Sequence, residues 1–237
     1  MIIKAKSWGR WATLGLGFTA MLVGQMAGVT AVIWWYGISL AHIADFVSDG
    51  VVATLIICIS TPVQVFLLAL MARWKGSNAA AYLGLTLPDR RDVVSGIISV
   101  IVFIALADGM SWLLGRDIVT QFQLDLYRTA SDAGWLPWLL LTVVVVAPIG
   151  EETLFRGFLF RGWHRSSYDA WLAIVVTALL WAIIHLQYDH YYMALVFVYG
   201  LVLGWFRLVA SSTILTILLH SVINFEGMIE TFIAIHA

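Results

Sequence analysis

The chain has 237 residues, 62% of them hydrophobic and 11% charged, with a mean hydropathy of +0.93. Water-soluble domains carry about 25% charged residues, so this composition excludes one and reads as an integral membrane protein with no room for a separate soluble domain. A net charge of −1 offers nothing to nucleic acid, and a single cysteine, Cys58 in an apolar run, excludes internal disulfides and cysteine-ligated metal.

A membrane span needs about 20 mostly apolar residues. In chain order the expected spans are Trp11–Leu40, Val51–Ala72, Val93–Leu114, Leu136–Phe160, Ala170–Gln187, Tyr191–Val209 and Thr213–Ile235. The fold class is therefore an all-α polytopic bundle of about seven spans, with three in residues 1–115 and the remainder in residues 136–237. Lys4, Lys6 and Arg10 precede the first apolar run as they would in a secretory signal, but that run is too long for one and reads as a retained span. A break near Gly24–Gly28 is possible within it.

Cationic residues set the expected orientation. Lys4, Lys6, Arg10, Arg73, Lys75, Arg90, Arg91, Arg156, Arg161, Arg165 and Arg207 fall on one side, 11 of the 13 Lys and Arg residues, against Arg116 and Arg128 on the other. The N-terminus is expected in the cytoplasm and the C-terminus outside, and a bacterial plasma membrane is the expected setting. The inner connection Arg73–Asp92 reads as an ordered turn region. In the outer connection Arg116–Trp135, Ile118, Phe122 and Leu126 recur every four residues, which fits either an interfacial amphipathic helix or a solvated loop.

The chemistry lies in the fourth, fifth and seventh spans. Pro148 and Gly150 predict a distorted helix just before two adjacent acids, Glu151 and Glu152. Glu152 and Arg156 are four apart with the acid first, the favoured order for an ion pair, whereas Glu151 is rotated about 100° away and faces a cavity. Trp181 and His185 share one helical face, and so do His220 and Asn224. Ionisable groups at membrane depth cost several kcal/mol and mark functional sites by default. Asp108 is a further acid in the third span, for which a hydrogen bond to a neighbouring helix is at least as good a reading as function.

A carboxylate and an imidazole can hold and deprotonate a water, and a second imidazole with an amide can stabilise an oxyanion. Glu151, His185 and His220 would equally suit a divalent metal such as zinc, with an open position for water. His-Glu-x-x-His, Gly-x-Ser-x-Gly and Gly-x-Gly-Asp are all absent, which removes three other intramembrane protease types. A proton-coupled transporter remains an alternative, because buried acids and histidines serve proton relays.

Three motifs carry a resemblance. Glu151-Glu152-Thr-Leu-Phe-Arg156, Trp181-Ala-Ile-Ile-His185 and His220-Ser-Val-Ile-Asn224 resemble, in order, the Glu-Glu-x-x-x-Arg, Phe-x-x-x-His and His-x-x-x-Asn motifs of the CAAX-protease and bacteriocin-processing (CPBP, or Abi) family of intramembrane glutamate proteases. That family is related to the type II CAAX prenyl endopeptidase. The likeness covers roughly Pro137 to Phe225 and departs from the pattern at Trp181. It implies a four-helix catalytic core in which Glu151 and His185 activate water, His220 and Asn224 form the oxyanion site, and Glu152 with Arg156 support the first helix. It further implies cleavage of a membrane-associated or lipidated peptide, expected near the cytoplasmic side. A catalytically silent member serving as a binding or immunity protein would carry the same likeness. Depth counting resists the convergence: Glu151 lies ~21 Å below Pro137, while His185 lies ~22 Å in from Ala170 at the opposite face.

Overall fold

The computed structural model describes residues 8–37, 46–75, 78–164 and 166–237. Lys4, Lys6, Arg165, Gly76, Ser77 and the end of the expected first span at Leu40 lie outside them. Nine helices order the described chain: α1 (Arg10–Tyr36), α2 (Gly50–Trp74), α3 (Ala79–Leu83), α4 (Arg90–Leu113), α5 (Gln121–Asp132), α6 (Leu136–Trp163), α7 (Ala170–Ile183), α8 (His190–Ala210) and α9 (Thr213–His236). Six of them, α1, α2, α4, α6, α8 and α9, are long and apolar enough to cross a membrane. The fifth expected span is the shorter α7, whose 14 residues reach only ~21 Å. Its apolar run continues past Ile183, but the chain turns there and the next helix is capped by Asp189.

Helix α1 runs unbroken through Gly24 and Gly28, so these glycines serve close packing and introduce no break. A Cβ on Gly24 would come within 2.7 Å of the Ser60 carbonyl, and one on Gly28 within 2.6 Å of the Ile56 carbonyl. Small residues let two backbones touch where lipid supplies no hydrophobic drive to association. The same stripe of α1 buries Thr13, Gly17 and Ala20.

The two ends of the bundle are tied differently. At the end rich in cations, Arg10 pairs with Asp169, and the Trp8 indole donates to the Met71 carbonyl at 3.2 Å. There Thr213 donates through its backbone N–H to Gly84 O (2.8 Å) and through its hydroxyl to Leu83 O (2.6 Å). Gly84 has φ +67°, and a Cβ there would strike the Arg207 guanidinium at 2.3 Å. At the other end, the Gly50 N–H donates to Thr129 Oγ1 (2.7 Å), Ser111 bonds Tyr191 (2.9 Å), and Arg116 pairs with Asp189 (2.8 Å). Burial of Tyr127 and Ala130 seats α5, a helix with a Thr120–Gln123 capping box, against the bundle. The helical reading of Ile118, Phe122 and Leu126 is thereby settled for Phe122 and Leu126, whereas Ile118 lies just before the cap.

Gly24→Val should cost ~1–3 kcal/mol through overpacking against backbone. Gly15→Val, at a position with nothing within 4 Å, should cost far less. Thermal unfolding in detergent compares the two; equal melting temperatures would contradict the α1–α2 contact.

Candidate active site

Helix α6 departs from α geometry twice. Residues Thr142–Val146 and Thr153–Leu159 are π-helical. In the first, the Ala147 N–H bonds back to Thr142 O, five residues away, and so leaves Val143 O without its usual donor. The next residue along, Pro148, has no N–H to offer. The Asn224 amide from α9 donates to Val143 O at 2.8 Å. The second segment repeats the device: the Phe160 N–H turns to Phe155 O, and Arg207 Nε from α8 donates to Arg156 O at 2.8 Å. Between them, Gln64 of α2 donates to Gly150 O at 2.8 Å. The distortion expected at Pro148–Gly150 is thus real, and buried or half-buried side chains from three other helices satisfy it.

The distorted helix presents its two acids in different directions. Glu152 is fully buried, and its Oε1 accepts from Arg156 Nη1 (2.8 Å) and His220 Nδ1 (3.0 Å). Arg156, equally buried, also donates to Gly200 O at 3.0 Å and lies 4.6 Å from the Trp181 ring centre. Glu151 instead accepts the Trp181 indole N–H on Oε2 at 2.5 Å, leaving Oε1 toward the cavity. Glu152 is thus paired with Arg156, as their spacing predicts, while Glu151 lines the cavity.

Hydrogen-bond partners fix the imidazole tautomers. His185 Nδ1 sits 2.7 Å from the Trp181 carbonyl, which can only accept, so Nδ1 carries the hydrogen and Nε2 is the free atom. His220 Nδ1 likewise donates to the Glu152 carboxylate, freeing Nε2. The Trp181 ring touches both imidazoles, with centroids 5.3 Å from His185 and 5.0 Å from His220. Of the twelve tryptophans only Trp181, 3% exposed, is buried.

Glu151, Trp181, His185, His220 and Asn224 line a single cavity of 310 Å³, and Asn224 keeps one amide hydrogen and its carbonyl free of the Val143 bond. Tyr188 also lines it, with its ring stacked 5.8 Å from His185. Burial, followed by the negative charge of Glu151, pushes the Tyr188 phenol up to about 12, so it stays a proton donor at neutral pH. Sequence reasoning missed Tyr188 because it falls in the turn after α7, where nothing in the local pattern marks depth.

The depth conflict dissolves when both residues are measured from one end. Glu151 lies 12 residues in from Trp163 and His185 15 in from Ala170, or ~18 and ~22 Å. The conflict came from counting the two residues from opposite ends, across a helix whose 28 residues span ~42 Å.

The candidate zinc set behaves differently. The two free Nε2 atoms and a carboxylate have the right chemistry, and their outer hydrogen bonds are those of metal ligands. However, Glu151, His185 and His220 do not bring three ligand atoms within 4.8 Å, and the Trp181 ring contacts both imidazoles. Among the described residues that convergence occurs for Asp108, Glu226 and Glu230. Asp108 therefore has its neighbouring-helix partner in Glu230. The Glu226–Glu230 spacing of four at the end of an apolar span was the available, unread signal.

Arg156→Met should cost ~3–5 kcal/mol by stranding the buried Glu152 carboxylate. Glu152→Gln combined with Arg156→Met should recover a large part of that loss in detergent denaturation. A double variant no more stable than the single one would contradict the pairing.

Comparison with known proteins bears on the same residues. Residues 133–225 match the family described as "Type II CAAX prenyl endopeptidase Rce1-like". An Escherichia coli protein, described as an uncharacterized 24.3 kDa protein, is 36% identical over 83 residues. That alignment takes in 34% of this chain and 38% of the relative, so the match spans well under half of either. No solved structure matches. The matched segment runs from the turn before α6 into α9 and holds all three motifs, so this part of the chain is similar to the Rce1-like type II CAAX prenyl endopeptidases.

Proposed function

We propose that the protein is an intramembrane endopeptidase that hydrolyses a peptide bond in a membrane-associated peptide. The observation that carries this reading is the single cavity shared by Glu151, His185, His220 and Asn224, each with one reactive atom left unspent. Water held by Glu151 Oε1 and His185 Nε2 attacks the carbonyl carbon and gives its proton to Glu151. His220 Nε2, when protonated, and the remaining Asn224 N–H donate to the oxyanion. Glu152 supports that imidazolium, as a buried carboxylate does in other hydrolytic sites. Collapse of the tetrahedral intermediate breaks the C–N bond, and the proton on Glu151 passes to the leaving amine. No step is routed through a metal, because the donor set does not converge on one.

Trp181 has a defined part in this scheme. Its indole N–H holds one oxygen of Glu151 so that the other serves as base, a bond phenylalanine cannot make. The substrate partner is a peptide or protein at the membrane, and the lipid bilayer is the second partner. We place the N-terminus in the cytoplasm on the strength of the cation count.

Glu151→Gln should lower cleavage ~10²–10⁴-fold, the range for a general base, with melting temperature nearly unchanged. Comparing membrane peptides from cells carrying wild-type or Glu151→Gln protein reads this directly, and full activity in the variant would remove Glu151 from the mechanism. Trp181→Phe keeps the aromatic wall and should lower kcat about tenfold, ~1.4 kcal/mol, with KM held within about twofold. An unchanged kcat would strip the indole of its positioning role.

A further inference from the structure

The active-site cavity runs from the middle of the bundle, at Glu151 and His220, toward one of its ends. Ala53 and Ile57 are in the first half of α2, and Asp108 and Ser111 are in the last turns of α4. Tyr192 and Tyr199 are in the first half of α8, and Asn224 is at the middle of α9 with Glu230 beyond it. Helix α5 supplies Phe122, Gln123 and Leu126. None of the cation-rich end contributes. Thr120, Phe122, Gln187, Tyr188 and Tyr192 also line a second, more open hollow of 430 Å³ that includes Arg116, Asp117 and Asp189. The Arg116 and Asp189 side chains there are 42% and 52% exposed, so the route from the catalytic residues leads to water on the Arg116 side.

That side is the one poor in cations. Among the described residues Arg10, Arg73, Lys75, Arg90, Arg91, Arg161 and Arg207 occupy the far end, and only Arg116 and Arg128 occupy the end with the opening. Lys and Arg near span termini are retained in the cytoplasm, and the bias counts most in short connections such as these.

We propose that the catalytic cavity opens to the extracytoplasmic face, and that its substrate is a membrane-proximal peptide segment on that face. This reverses the cytoplasmic-side cleavage expected from the sequence. It also excludes a lipidated C-terminus presented from the cytosol. The sidedness stands on the geometry and the cation distribution; the substrate class rests in addition on the peptidase reading above.

Cysteine accessibility in a Cys58→Ala background tests the sidedness without any need for activity. Gln187→Cys at the opening, Arg128→Cys on the exposed face of α5 and Arg91→Cys at the cation-rich end are treated with a membrane-impermeant maleimide. In intact cells the first two should label at least about tenfold faster than the third, and inverted vesicles should show the opposite order. Arg128→Cys keeps the test readable if Gln187→Cys does not fold. The reverse pattern, or equal labelling from both sides, overturns the proposal. A second arm compares two membrane-tethered reporter peptides, one displayed outside and one inside, in cells with wild-type or Glu151→Gln protein. Glu151-dependent cleavage of the outer reporter alone supports the substrate class, and cleavage of the inner one overturns it. Outward labelling without cleavage of either reporter upholds the sidedness and counts against the peptidase reading.

Discussion

A helix inside a membrane must satisfy its own carbonyls, and α6 does not. Two π-helical segments and Pro148 displace its ladder on both sides of Glu151 and Glu152, and lipid offers no replacement donor. Side chains of other helices take over: half-buried Asn224 at Val143, and buried Gln64 at Gly150 and Arg207 at Arg156. Each donor comes from a different helix, so α2, α8 and α9 are locked in register around the acids. The site is thus a consequence of how a distorted helix is repaired. It also explains the position of Asn224, which helps hold the backbone while turning its remaining polar atoms to the cavity.

Charge is arranged by the same economy. Glu152, Arg156 and His220 form a buried chain, with the Arg156 guanidinium and the His220 Nδ1–H both directed at one carboxylate oxygen. A buried ion pair contributes little net stability, but breaking one is costly, so the arrangement serves geometry more than stability. It turns the His220 ring so that Nε2 faces the cavity. Trp181 completes the frame, touching both imidazoles, lying over the Arg156 guanidinium and donating to Glu151. One residue therefore contacts or bonds four of the six expected site residues.

Much of this was legible in the residues. The Glu152–Arg156 spacing announced their pairing, Pro148 and Gly150 announced a distorted helix, and the three motifs in order announced the likeness to the Rce1-like family model. The length of α7 was not legible, because an apolar run does not say where the chain turns away from the bilayer. Depth was misjudged for a related reason: hydropathy counts residues, whereas the 28-residue α6 extends well beyond a single hydrocarbon thickness. The indole–carboxylate bond was invisible because it joins two helices thirty residues apart through a side chain whose usual place is the interface. Tyr188 escaped because its burial depends on where the turn after α7 settles. Asp108 drew notice in isolation, but its partners Glu226 and Glu230 became visible only when α4 and α9 were brought together.

The most direct test of the central claim is the fate of the water. Purified wild-type protein cleaving a membrane peptide in ¹⁸O-enriched water should place one heavy oxygen in the new C-terminal carboxylate of the product, as read by mass spectrometry. The label should vanish with cleavage itself in Glu151→Gln. Cleavage with no incorporated label, or labelled product at an undiminished rate from Glu151→Gln, would contradict hydrolysis by this constellation.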